Sequence, residues 1–265
     1  KLCNFLKSKY PIKFDEKVGI YNKAINAKAF DILRGFLPTG ASTSLSISCT
    51  LRQFADKLMY LRNHPLEEVR QIANSMKEVL QKGNPHSFNH KIYEENEKYI
   101  KNFMNNYYYF NPTQKFSDFE LSNVSLDYSI LSEYRHLILE RPQKSELPPI
   151  LSQCGNLSFE FLLDYGSYRD LQRHRSVSQT MPLLTINNGF ENWYLEQLPE
   201  EIKNEALEML RGIEYYINVS NIEQKYFQYI IPMGYRVPIR LIGNLPSIIY
   251  ISEMRSSTTV HQTLR

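Results

Sequence analysis

The densest chemical signal in the chain is the run Tyr168-Arg169-Asp170-Leu171-Gln172-Arg173-His174-Arg175. Three arginines and a histidine so close together create a strong local positive field. An arginine fork donates two parallel hydrogen bonds and keeps its charge, so the run suits a phosphate or an anionic ring. If helical, Arg169 and Arg173 would share a face at i, i+4 spacing, with Asp170 and His174 on the next. The other reading is a helix C-terminus whose basic side chains complement the backbone dipole. Other candidates carry less. Gly35 and Gly40 have the spacing of a phosphate loop, but the lysine that reaches the β- and γ-phosphates is missing. No G-x-S-x-G elbow, H-E-x-x-H helix or paired-cysteine motif occurs. His64, His86, His90, His136 and His261 are scattered and read as structural or solvent-facing, and no metal site is expected.

Secondary elements must hold that run. Residues 157–165 give the clearest strand pattern, and 166–175 follow as a short helix, which places the basic cluster at a strand end. A strand at 119–127 and a helix at 128–139 precede them. Helices at 199–219 and 222–229, a strand at 234–243 and a helix at 244–255 follow. In the first part, 16–34 reads as an amphipathic helix closed by Gly35 and Pro38. Residues 41–50, ASTSLSISCT, alternate small polar and apolar types and predict a strand. Helices follow at 51–61, at 65–83 and, more polar, at 90–105. The Asn-, Pro- and Tyr-rich stretch 106–117 breaks the periodicity and marks a domain boundary.

A weak repeat runs through this pattern. Arg34-Gly-Phe-Leu37-Pro38 precedes a β-like stretch and a helix ending in Tyr60-Leu61-Arg62. Ile230-Ile231-Pro232 precedes another such pair, ending in Glu253-Met254-Arg255. A repeat this long predicts two copies of one fold rather than a solenoid. The chain enters directly on the second half of one copy and stops in mid-pattern at Arg265, so it reads as a piece of a longer protein.

Composition narrows the classes. The 265 residues are 42% hydrophobic and 22% charged, enough for one large or two small domains with a core that needs no disulfide or metal. Aliphatic and aromatic residues run throughout, which excludes disorder. No apolar run approaches the ~18 residues of a membrane span, and the charged N-terminus is no secretory leader. The net charge of +3 is too balanced to argue for nucleic acid. Cys3, Cys49 and Cys154 are far apart, which fits a reducing cytoplasm better than zinc or disulfides. The residues alone thus indicate an α+β protein with one basic cluster.

At Arg173-His174-Arg175 the sequence resembles the flavin-dependent thymidylate synthases, the ThyX family, whose signature reads R-H-R-x-x-S-x-N-E-x-S-x-R. Arg173, His174, Arg175 and Ser178 match it. Thr180, Met181, Leu183 and Thr185 stand where the family has Asn, Glu, Ser and Arg. In the repeat, Arg34, Leu37, Pro38, Arg52 and Arg62 match in the first copy, and Pro232, Asn244 and Arg255 in the second. The resemblance covers most of the chain and is closest to tandem members holding two domains.

The resemblance implies an α+β fold with an antiparallel sheet and packed helices, in two partial copies. Residues 1–111 would be the second half of one domain, and 112–265 a second domain cut short at its C-terminus. It implies FAD, reduced by NADPH, and conversion of dUMP to dTMP with methylenetetrahydrofolate as carbon donor. Arg173, His174, Arg175, Ser178 and Asn244 would be flavin-side residues. Arg34, Arg62 and Arg255 would be nucleotide-side, with Arg173 and Arg255 catalytic. Family sites form between subunits, so a homo-oligomer is implied, tandem chains pairing as a pseudo-tetramer. The departures matter physically. Leu183 donates nothing, and Thr185 cannot replace an arginine fork, a loss of about 1.5–3 kcal/mol per charge-assisted bond. Gln228 stands where the second copy should carry its arginine. The expectation is therefore a division of labour, with Arg34 marking the competent nucleotide site. A degenerate, non-catalytic scaffold and a polyanion-binding module without flavin are the alternatives.

Overall fold

The computed structural model describes residues 1–88, 91–107 and 117–265. In chain order its elements are α1 (Leu2–Lys9), α2 (Val18–Arg34), α3 (Leu51–Leu61), α4 (Glu67–Gly83), α5 (Pro85–Phe88), α6 (Glu94–Asn106), β1 (Phe119–Leu126), α7 (Tyr128–Leu139), β2 (Gly155–Asp164), α8 (Tyr165–Leu171), β3 (Ser178–Thr180), α9 (Asn192–Glu196), α10 (Glu200–Val219), α11 (Gln224–Phe227), β4 (Arg236–Asn244) and α12 (Leu245–Arg255). The protein is α+β. Its four-stranded sheet is antiparallel in the order β1-β2-β4-β3, with helices packed on it. Among the described residues no helix is long and apolar enough to cross a membrane. His90 and most of the 106–117 connector lie outside the described residues.

Two compact units emerge; they change at Asn111–Pro112, where the sequence places its boundary, but also at Gly40–Ala41, Ile222–Glu223 and Tyr226–Phe227. The sheet unit comprises Lys1–Gly40, Pro112–Ile222 and Phe227–Arg265; the other comprises Ala41–Asn111 with Glu223–Tyr226. The first forty residues join the sheet unit for a physical reason. The apolar faces of α1 and α2 bury Leu6, Ile25, Ala29 and Ile32 together with Leu198, and Trp193 and Ile202 pack against them. In the second unit α3, α4 and α6 bury Leu58, Ala73, Ile100 and Met104.

The centre of the sheet is the β2–β4 pair. Val237, Ile239 and Leu241 alternate along β4 into a core with Leu163, Tyr168, Leu171 and Ile251. Gly155 opens β2 at φ 110°, where a Cβ would sit 1.8 Å from the Ser125 carbonyl oxygen, so only glycine fits. Both central strands turn directly into helices through a side-chain cap. Asp164 Oδ2 accepts from Ser167 N at 2.9 Å, and Asn244 Oδ1 accepts from Ser247 N at 3.0 Å. Such caps contribute about 1 kcal/mol each. Because β2 and β4 are antiparallel, α8 and α12 begin at opposite ends. Helix α12, roughly 16 Å long, runs back along the sheet and brings its last residue, Arg255, to the end of α8.

Two turns of the same build meet in this unit, Leu37-Pro38-Thr39-Gly40 and Ile231-Pro232-Met233-Gly234. Pro38 lies opposite Pro232 in an antiparallel bridge. Thr39 N donates to Ile231 O at 3.0 Å and Met233 N to Leu37 O at 2.8 Å. Gly40 N donates to Tyr229 O at 3.0 Å and Gly234 N to Gly35 O at 2.7 Å. Each bond is the mate of another under the offset that carries Pro38 onto Pro232. The same offset carries α3 onto α12, each 11 residues long, and the N-cap Thr50 onto the N-cap Asn244. It sets Leu61, not Arg62, opposite Arg255, so the expected Arg62–Arg255 equivalence is displaced by one position.

Two expectations about elements are corrected, and four short or weakly patterned elements were not expected. Residues 41–50 are not a strand: among the described residues none offers them a ladder, and an unpaired strand leaves its backbone polar groups unbonded. The helix expected at 166–175 stops at Leu171, so Arg173, His174 and Arg175 lie in the turn beyond it, and Arg169 and Arg173 share no helical face. Helix α1, the short α5 and α9, and the three-residue β3 carried too little periodicity to be read.

Candidate functional site

Asp170, in the last turn of α8, gathers three arginines. Its Oδ2 pairs with Arg34 Nη1 at 3.3 Å and its Oδ1 with Arg173 Nη2 at 3.4 Å. Arg255 Nη2 donates to the Asp170 backbone carbonyl, and Arg255 Nε donates to His174 Nε2 at 2.8 Å. An imidazole nitrogen that accepts from a guanidinium carries no proton there. Consistently, burial and then the nearby Arg255 charge push the His174 pKa below its ordinary value. The edge of the Tyr250 ring flanks the imidazole, 6.2 Å between centroids.

Arg34 is the least satisfied member. Its side chain is 16% exposed, yet Nε and Nη2 are buried with no hydrogen-bond partner. Unpaired buried donors cost roughly 1–3 kcal/mol each, more when charged. The helix α2 that ends in Arg34 therefore carries a fork with unused bonding capacity into the cluster.

A second network adjoins it. Asp164 is fully buried, and its Oδ2 accepts from the Tyr194 hydroxyl at 2.8 Å as well as from Ser167 N, while Oδ1 has no partner. Ser167 Oγ lies 3.3 Å from His261 Nδ1 and bonds Thr263 Oγ1. Burial, then the Arg34 charge, pushes the His261 pKa down. Burial, then the Asp164 charge, holds the Tyr194 phenol far above its usual range, so it stays a proton donor. Trp193 and Tyr194 pack on the His261 ring, with centroids 5.0 and 5.6 Å away.

Arg255 stands between two cavities. One, of 380 Å³, is lined by Lys144, Asp170, Ser257, Thr259 and His261 together with Arg255. The other, of 330 Å³, is apolar and lined by Phe159, Phe161, Leu171, Ile251 and Leu264 among others. The pair has the chemistry to take an anion on one side and an apolar or flat group on the other.

The sequence-derived site residues are thus only partly united. Arg34, Arg173, His174 and Arg255 converge on Asp170. Arg173 is 76% exposed along its side chain, and Arg175 and Ser178 face solvent beside β3. Asn244 serves as the α12 cap. Arg62 belongs to the other unit, where its Nη2 pairs with Glu97 Oε1 at 3.2 Å and it lines a 210 Å³ pocket with Lys77. Gln228 is fully engaged: its Oε1 accepts from Leu184 N at 2.9 Å and its Nε2 donates to Leu184 O at 2.7 Å. Sequence reasoning missed Asp164, Ser167, Tyr194, His261, Thr263 and Lys144. Only Asp164 had a signal, an Asp three residues before Ser167 at a strand-to-helix junction.

No protein-family model matches the chain. It is similar to a UPF0159 protein of Chlamydia pneumoniae, 26% identical over 306 residues that cover 98% of this chain and 57% of that protein. It is also similar to a UPF0159 protein of Thermoplasma acidophilum, 22% identical over 282 residues, covering 92% and 56%. A third, from Chlamydia muridarum, is 24% identical over 304 residues, covering 97% and 56%. The chain spans just over half the length of these curated relatives, and their names state no activity.

Proposed function

We propose that this chain is part of an FAD-dependent thymidylate synthase of the ThyX type, built from two tandem copies of that fold. The protein would convert dUMP to dTMP with methylenetetrahydrofolate as carbon donor. The observation that carries this reading is the arrival of Arg34 at the Asp170–Arg255 cluster with two buried N–H groups unbonded. An arginine held this way by a carboxylate is a ready seat for a phosphate. It comes from one repeat and meets residues of the other, which supports the division of labour expected of a tandem chain.

Each residue has a definite task in this reading. Arg34 binds the nucleotide phosphate, and Asp170 fixes its fork. His174, neutral, aims Arg255 through Nε2 where an imidazolium would repel it. Lys144, Ser257 and Thr259 complete the polar wall around Arg255, and the neighbouring apolar cavity excludes water. The residues beyond α8 fit a flavin's anionic portion, because Arg173, Arg175 and the Ser178 hydroxyl are all exposed on one short stretch of chain. When bound, FAD reduced by NADPH supplies the electrons that convert the transferred one-carbon unit to a methyl group. Tandem chains pairing as a homo-oligomer in the cytoplasm complete the proposal.

The experiment is an FAD titration by flavin fluorescence of wild type and Arg173→Ala, followed by dUMP-dependent turnover of the whole protein carrying Arg34→Ala. Flavin binding weakened by the first change and turnover abolished by the second are expected. Turnover undiminished in both variants would refute the assignment. A second reading is favoured by Leu183, Thr185 and the engaged Gln228: a scaffold that keeps the fold without the chemistry. Flavin binding with no turnover by the whole protein would select it.

A further inference from the structure

We infer that residues 41–50 form a β-strand once a partner pairs with them, and that the partner is a β2-like strand from polypeptide outside these 265 residues. The inference rests on the repeat and not on any activity. The offset that carries the Pro38 turn onto the Pro232 turn, and α3 onto α12, carries residues 41–50 onto the length of β4. Thr43, Leu45, Ile47 and Cys49 then fall on Val237, Ile239, Leu241 and Gly243, which β4 turns into its core. Ser42, Ser44, Ser46 and Ser48 fall on the alternate positions. The pattern is that of a half-buried strand, yet Leu45 and Ile47 are 78% and 56% exposed. Both flanks already have the β4 arrangement. The proline turn is bonded in place before the segment, and a complete Thr50–Gln53 capping box starts the helix after it.

Strand β4 pairs along β2 from Arg236 to Asn244, and residues 41–50 have no such neighbour among the described residues. The β2 of a second copy is not free for this, because it is enclosed between β1 and β4. The curated relatives, of which this chain covers 56–57%, are long enough to hold a second set of such strands. The partner's chemistry follows from β2: an antiparallel strand of about ten residues, with alternating large apolar side chains.

The test is amide hydrogen exchange, read by mass spectrometry, on the 265-residue chain and on the whole natural polypeptide. Amides 43–49 should exchange at near-unprotected rates in the former and be slowed at least about a hundredfold in the latter. Leu45→Asp in the whole polypeptide should abolish that protection while β2 and β4 keep theirs. Fast exchange of 43–49 in both proteins would overturn the inference. So would protection in the 265-residue chain that rises with its concentration, since the partner would then be a second copy.

Discussion

Arg34 and Gln228 occupy matching places, four residues ahead of the paired prolines, at the ends of two helical segments that enter the same kind of turn. Their side chains are treated in opposite ways. Gln228 spends both ends of its amide on the Leu184 backbone. Arg34 makes one contact to Asp170 and keeps Nε and Nη2 unbonded in a buried setting. A satisfied polar group stabilises the fold, whereas an unsatisfied one holds bonding capacity for a ligand at a cost in stability. The two turns are thus alike in backbone and different in how their side chains are satisfied.

The largest expected effect is at Arg34. Arg34→Met removes the fork but keeps an unbranched apolar side chain for packing. On the proposed reading, losing two charge-assisted bonds, about 3 kcal/mol or more together, should weaken dUMP binding at least about a hundredfold. The thermal midpoint should not fall, because Asp170 retains Arg173 and the unbonded donors are gone. Calorimetric binding beside a melting curve reads both, and a large drop in midpoint with binding intact would reverse the assignment of Arg34.

The turns themselves come next. A Cβ at Gly40 would lie 2.6 Å from Tyr229 O and 2.9 Å from Tyr229 Cα; one at Gly234 would lie 2.4 Å from the Phe190 ring and 2.9 Å from Gly35 O. Each glycine thus meets the backbone of the opposite turn. Gly40→Ala and Gly234→Ala should each cost about 1–3 kcal/mol in urea unfolding. If one were tolerated and the other not, the local two-fold would be a likeness of outline without shared packing. Gln228→Leu should cost a comparable amount, about 2 kcal/mol or more, by stranding both the Leu184 N–H and its carbonyl. It should leave ligand binding unchanged, and a parallel loss of binding would mean that the division between the two turns is not real.

How much of this could be read from residues alone follows the same line. Helices α3, α7 and α10 and strands β1, β2 and β4 carry periodicity over eight or more residues, and the structure has them, like the less periodic α12, within about two residues of their expected bounds. The segment 41–50 has strand periodicity too, and still forms none, because alternation specifies a face and only a neighbour supplies the ladder. The Arg173–Arg175 run was visible because charge is visible. Its link to Arg34 was not, since Arg34 and Asp170 are 136 positions apart. Asp164, Tyr194 and His261 are ordinary in sequence; burial gives them their chemistry, and burial is a property of the assembled core.

The finest test of the comparison uses pH. His174 faces Arg255, with Asp170 and Arg173 close by, and His261 faces Arg34 and the Asp164 network. Both are held below the ordinary value of 6.5, first by burial and then by their arginine. The unfolded chain therefore binds more protons than the folded one as pH falls through 6.5. Stability from these groups is complete above that value, declines below it, and levels off once the folded histidines protonate as well. His64, buried in the other unit beside Arg70, contributes a slope of the same sign. The site's share is isolated by His174→Gln, whose amide oxygen can still accept from Arg255. Urea midpoints of wild type and variant should coincide near neutrality and separate below pH 6.5, the variant losing less. Curves that stay parallel would mean that Arg255 is held by the Asp170 carbonyl alone, and that His174 does not aim it.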